Sequence, residues 1–169
     1  MYQRILVPVD GSDTSNRGLD EAIKIASMTH GKLMLMHAID DLSFSFALQT
    51  SIAYANDWQA FMRQDGEAIL ERARARAGAA GVEAEVTLSD RYARPVHERI
   101  ADEANRWDAD LIVIGTHGRR GLQRVLMGSA AEGVLRLATK PVLLVRSVET
   151  EAATRPMAQQ STDIASPVT

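Results

Sequence analysis

A chain of 169 residues, 46% hydrophobic and 24% charged with a net charge of −3, has the make-up of one ordinary globular domain. The slight acidity argues against a nucleic-acid or anionic-membrane surface, and the absence of cysteine excludes disulfides and thiolate chemistry. No apolar run nears the roughly 18 residues that span a bilayer, and Met1-Tyr2-Gln3-Arg4 leads straight into a predicted strand without a signal-peptide core, so a cytoplasmic setting is expected.

Five short apolar runs alternate with longer segments of helical period. The first predicted strand covers 5–9, and a helix over 15–29 follows with Leu19, Ala22, Ile23 and Ala26 on one stripe. His30-Gly31 ends that helix, with the glycine suited to a left-handed residue. A second strand over 33–37 leads into the connection 40–55, whose Phe44, Phe46, Leu48 and Tyr54 are too apolar for a plain linker; loops of that length are often lids or binding loops. The longest helix, about 57–77, carries Trp58, Phe61, Met62, Ile69 and Ala73 inward. A third strand over 83–88 precedes a helix from Pro95 with Val96, Ile100 and Ala104 on its apolar side. The fourth strand, 111–114, is followed by a helix over 129–138 with Val134, Leu135 and Ala138 inward, and a fifth strand covers 142–145. Met28, Met34 and Met36 read as core filler. Near-continuous apolar strands alternating with helices predict an α/β parallel sheet covered on both faces. One domain over 1–147 is expected, with the Ser-, Thr-, Ala-, Gln- and Pro-containing stretch 148–169 a disordered tail.

The most informative stretch is Gly115-Thr116-His117-Gly118, then nine residues, then Gly128-Ser129. Glycines let backbone approach a ligand, because no Cβ intervenes. A helix opening at Ser129 would aim unpaired N–H groups and a positive dipole end at a phosphate. In an open α/β sheet ligands bind beyond the carboxyl ends of strands where the winding reverses. Asp10 ends the first strand and Gly115 the fourth, so adjacency of these strands would put acid and glycine loop in one crevice. There is no Walker-type lysine: Lys24, Lys32 and Lys140 all lie outside the loop, and Pro-Val-Asp-Gly-Ser replaces the dinucleotide fingerprint. The arrangement suits binding rather than fast phosphoryl transfer. Arg119, Arg120 and Arg124 are candidate phosphate clamps, His117 is a weaker candidate, and His37 reads as packed. No His/Asp/Glu cluster has metal-ligand spacing, so any Mg2+ is expected to arrive with the nucleotide.

The segments Ile5-Leu6-Val7-Pro8-Val9-Asp10-Gly11-Ser12 and Asp110 to Gly115, the glycine loop, and Pro141 to Val145 together resemble the universal stress protein family, in order and over about residues 1–147. The resemblance implies a single-domain, Rossmann-like, five-stranded parallel sheet of order 3-2-1-4-5, ATP or another adenine nucleotide in the crevice, homodimers through the last strand, and a cytoplasmic role in stress tolerance. On this resemblance Asp10 holds the ribose or adenine end, Pro8 and Val9 line the base, Ala38 offers a backbone contact to adenine, and Ile114 borders the pocket. Gly115, Gly118, Gly128, Ser129 and Ala130 receive the phosphates; the alanine stands where the family often has valine.

The leading expectation is a regulatory ATP-binding protein whose occupancy a protein partner senses. The alternatives are a slow ATPase or autophosphorylating enzyme, and a module for cyclic nucleotides or another small signal. Val142–Val145, read as an apolar edge strand, predicts a symmetric dimer.

Overall fold

Alternation along the strands sorts the apolar side chains onto two faces of one sheet. The computed structural model describes residues 1–39, 52–90, 94–116 and 127–146, with only the helical backbone for 52–57. The strands are β1 (Arg4–Pro8), β2 (Lys32–Ala38), β3 (Ala84–Ser89), β4 (Leu111–Gly115) and β5 (Val142–Val145). Between them lie α1 (Asp13–Thr29), α2 (Ile52–Ala79), α3 (Val96–Arg106) and α4 (Ser129–Leu137). All neighbouring strands pair in parallel, in the order β3-β2-β1-β4-β5. The expected α/β architecture and strand order are therefore present.

Ile5, Val7, Leu33, Leu35, Leu111 and Val113 pack with α1 and α2, while Leu6, Met34, Met36, Ile112 and Ile114 pack with α3 and α4. Burial on both faces is why these strands read as continuous apolar runs. Each fully buried leucine or isoleucine contributes about 1.5–3 kcal/mol relative to exposure, and Ile5, Leu6, Leu33, Leu35 and Ile112 are all fully buried. On the far side of the sheet, Trp107 lies under the Arg4 guanidinium, 4.4 Å from the ring centre, and beside Lys32.

Several local expectations change. The left-handed residue after α1 is His30, at φ 54°, and Gly31 serves a different need. A Cβ on Gly31 would sit 2.8 Å from Gln3 Cα and 2.9 Å from Gln3 O, so glycine permits the close passage that brings β2 beside β1. The α1 helix begins at Asp13, earlier than the apolar stripe suggests, because Ser12 Oγ caps it by accepting from Ser15 N. The α2 helix reaches back to Ile52, into the predicted connection, and its first half turns Phe61 outward at 58% exposure; its core anchors are Ile69, Leu70, Ala73 and Ala77. Met28 is 74% exposed and no core filler, whereas Met34 and Met36 are buried. In α4 only Ala131 and Val134 are buried, and Leu135 is 43% exposed, because the short helix lies against the sheet by one narrow stripe. The apolar residues of 40–51 and the tail 148–169 lie outside the described residues.

Candidate functional site

The β1 and β4 strands are partners over only a short stretch. Their register runs Ile5↔Leu111 and Leu6↔Ile112 and stops, although both strands continue. Val9 N donates to Met36 O, so odd-numbered β1 residues turn their peptide groups to β2 and even-numbered ones to β4. The next rung toward β4 would need an N–H on residue 8, and Pro8 has none. A proline inside a central strand thus ends the ladder at the sheet's switch point, where open α/β sheets have their ligand crevice. On the other side β4 stays paired to β5 through Gly115↔Val145, and Thr116 N donates to Val145 O.

One wall of the crevice is the turn after β1. Asp10 Oδ1 accepts from Ser12 N at 2.9 Å, Asp10 N donates to Ser15 Oγ at 3.1 Å, and Gly11 takes φ 80°. Asp10 is thus a turn former as well as the acid at the strand end. The opposite wall is the start of α4. Gly128 N donates to Thr116 O at 2.8 Å, which brings the end of the glycine loop back to the tip of β4. Gly128, extended at ψ 145°, is the cap residue, and Ser129 is the first helical residue. No side chain caps α4 among the described residues, so the N–H groups of its first turn lack that partner.

Gly115 has a second reason to be glycine. A Cβ there would lie 2.9 Å from both Thr14 Cγ2 and Thr14 O, so the residue lets the first turn of α1 press against the tip of β4. Gly18 supports the same close approach one turn later, its Cβ position lying 3.4 Å from Gly115 N.

The third wall is β2. Pro8 and Ala38 are half-buried at the ends of their strands, while Val9 and Ile114 are buried. His37, 4% exposed, is packed as expected, with Nδ1 donating to Val9 O at 2.7 Å. Arg99 escaped the sequence reading. Its guanidinium is 3% exposed and reaches from α3 to Ile39 O at 2.7 Å and Ser89 O at 3.1 Å, pinning the carboxyl ends of β2 and β3. Its position between Val96 and Ile100 was the only sign available. The structure thus gathers Pro8, Val9, Asp10, Ala38, Ile114, Gly115, Gly128, Ser129 and Ala130 around the carboxyl ends of three strands. Gly118, Arg119 and Arg120 lie outside the described residues, as do His117 and Arg124.

A separate depression of about 230 Å3 lies between β3 and α3, lined by Thr87, Ser89, Asp90, Asp102, Glu103 and Arg106 among others. It is smaller than the roughly 300–1,000 Å3 of ordinary ligand pockets, and its Glu103 is already paired to Arg106 at 2.5 Å. It is not at the switch point. No three His, Asp or Glu side chains gather as a metal site among the described residues. No described helix is long and apolar enough to cross a membrane.

Comparison with known proteins agrees with this fold. The sequence matches the Universal stress protein family over residues 1–146. It is 32% identical over 151 residues to universal stress protein YxiE of Bacillus subtilis, covering 86% of this chain and all of that relative. Two solved structures share the fold. A universal stress protein in complex with cAMP is 29% identical with a TM-score of 0.60, covering 86% of this chain and 97% of that one. A universal stress protein of Archaeoglobus fulgidus in complex with dAMP is 26% identical with a TM-score of 0.62, covering 85% of this chain and 98% of that one.

Proposed function

Because the chain belongs to the universal stress protein family, we propose that it is an adenine-nucleotide-binding regulatory protein, with ATP its principal ligand. The observation that carries this reading is the end of the β1–β4 ladder at Pro8, at the sheet's switch point, with the Asp10 turn after β1 and the first turn of α4 after β4. The base sits against Val9, Ile114 and the Ala38 backbone, and the Asp10 carboxylate faces the ribose. The phosphates lie on the N–H groups of Ser129 and Ala130, with Gly115, Gly118 and Gly128 giving them room. Arg119 and Arg120 clamp them from the loop, and Mg2+, where present, travels with the phosphates. Relatives solved with dAMP and cAMP support an adenine ligand here.

The loop has no lysine to place on a transferred phosphate. Occupancy, rather than turnover, is therefore the signal read by a protein partner during stress. The relative bound to cAMP favours a second reading, in which a cyclic nucleotide occupies the same base site with fewer phosphate contacts. Competition of cAMP against ATP separates the two. A second copy of the chain pairs along β5, whose edge is uncharged and leaves Leu143 37% exposed; sedimentation tests that dimer.

Ser129→Glu tests the phosphate site. A carboxylate in the first turn favours the helix by about 0.3–1 kcal/mol while repelling a phosphate. The variant should melt no lower than the wild type and bind ATP at least about tenfold more weakly. Unchanged affinity would remove the phosphates from α4.

A further inference from the structure

The ladder between β1 and β2 also stops one rung short, and a buried histidine occupies the place of the missing bond. The last pair is Pro8↔Met36, closed by Val9 N to Met36 O at 2.8 Å. Ile39 N donates to Ser89 O, so Ile39 faces β3 and Ala38 turns both its N–H and its C=O toward β1. The next rung would run from Ala38 N–H to Val9 O, and the one after from Gly11 N–H to Ala38 O. Among the described residues neither forms: Val9 O accepts from His37 Nδ1 at 2.7 Å, and Asp10 and Gly11 have already turned into the cap of α1.

Neighbouring groups hold this arrangement in place. A Cβ on Gly66 of α2 would fall 2.8 Å from His37 Cδ2, so the helix presses on the ring and fixes its rotamer. Arg99 and Ser89 hold the Ile39 peptide from the other direction. The Ala38 donor and acceptor are therefore presented side by side at the carboxyl end of β2, on the side toward β1.

We propose that His37 is a positioning residue for base recognition: by taking the Val9 carbonyl it keeps the Ala38 peptide edge for a purine that offers an acceptor beside a donor. Adenine does so with N1 and its 6-amino group; hypoxanthine reverses both, presenting N1–H and O6. A site built on such bonds rejects the mismatched base strongly, because its own polar groups are left unpaired. This inference rests on the nucleotide reading above and adds the source of base selectivity.

The test compares ATP with ITP by calorimetry for the wild type, His37→Phe, which keeps a ring but no donor, and His37→Asn, whose amide nitrogen replaces Nδ1. The wild type should favour ATP by about a hundredfold, roughly tenfold for each bond. The Phe variant should bind ATP at least about tenfold more weakly with ITP little changed, and the Asn variant should restore the preference. A wild type that binds both equally, or a Phe variant with undiminished preference, overturns the inference. A wild type that binds no adenine nucleotide overturns the nucleotide reading itself. Hydrogen exchange on the wild type gives a check free of folding effects. The Ala38 amide should exchange faster than that of Met36 and slow on adding ATP; protection equal to Met36 without ligand would overturn the proposal.

Discussion

Replacing Gly115 by alanine tests the packing role of this glycine. The added Cβ would lie 2.9 Å from Thr14 Cγ2, 2.9 Å from Thr14 O and 3.0 Å from Thr14 C. Relaxed carbon contacts lie near 3.5–4.0 Å, and two of the three atoms are backbone, so no side-chain rotation relieves the overlap. The first turn of α1 must move outward by several tenths of an ångström. Overpacking of this kind costs about 1–3 kcal/mol, offset by up to about 1 kcal/mol from the stiffer unfolded chain. The net loss is about 1–2 kcal/mol, so at roughly 2–4 °C per kcal/mol for a chain of this size the melting temperature should fall by about 2–8 °C. Because the Asp10–Ser12 turn caps the displaced helix, ATP affinity should fall as well. Gly18→Ala is the control. Its Cβ would meet only Gly115 N at 3.4 Å and Ile114 C at 3.8 Å, and alanine in a helix gains about 1 kcal/mol over glycine. It should melt at or slightly above the wild type. Thermal and urea unfolding of the two variants decide the matter. A Gly115→Ala protein as stable as the wild type would refute the packing argument.

Pro8→Ala supplies the missing N–H toward β4; stability should stay within about 1 kcal/mol, since the new bond offsets the lost proline stiffness, while ATP affinity measured by calorimetry falls about tenfold as the crevice closes. Arg99→Met leaves the buried Ile39 carbonyl without this donor, while Ser89 O keeps the Ile39 N–H, and should cost about 1–3 kcal/mol in urea unfolding, the usual penalty for an unmade buried bond. Glu85 is held below the ordinary carboxylate range first by its hydrogen bond to Lys32, against an opposing effect of burial. Its contribution is therefore full above about pH 4.3 and lost as pH falls through the lowered folded-state value. Glu85→Gln should flatten the acid side of a melting-temperature profile below about pH 4.3 and leave the neutral side unchanged in slope.

The sheet was legible in the sequence because both its faces are buried, so β1, β2 and β4 appear as unbroken apolar runs bounded by Gly, Asp and His. Helix ends were less legible. Gly31 looks like a left-handed terminator, yet its reason for being glycine is Gln3 on a neighbouring strand, and His30 makes the turn. Trp58 and Phe61 follow helical spacing, but the first half of α2 extends past the core. Asp10 and the glycines near β4 announce the site because tight turns demand those residue types locally. What decides the crevice is non-local. Pro8 matters through the side of β1 it faces, Gly115 through Thr14, and His37 through the carbonyl of Val9. None of these pairings leaves a pattern along one stretch of chain.

Equilibrium dialysis of the purified wild-type protein against radiolabelled ATP tests the central claim most directly. The account predicts saturable binding of one nucleotide per chain, displaced by unlabelled AMP and ADP. Absence of binding up to millimolar ATP, or binding that does not saturate, would contradict it.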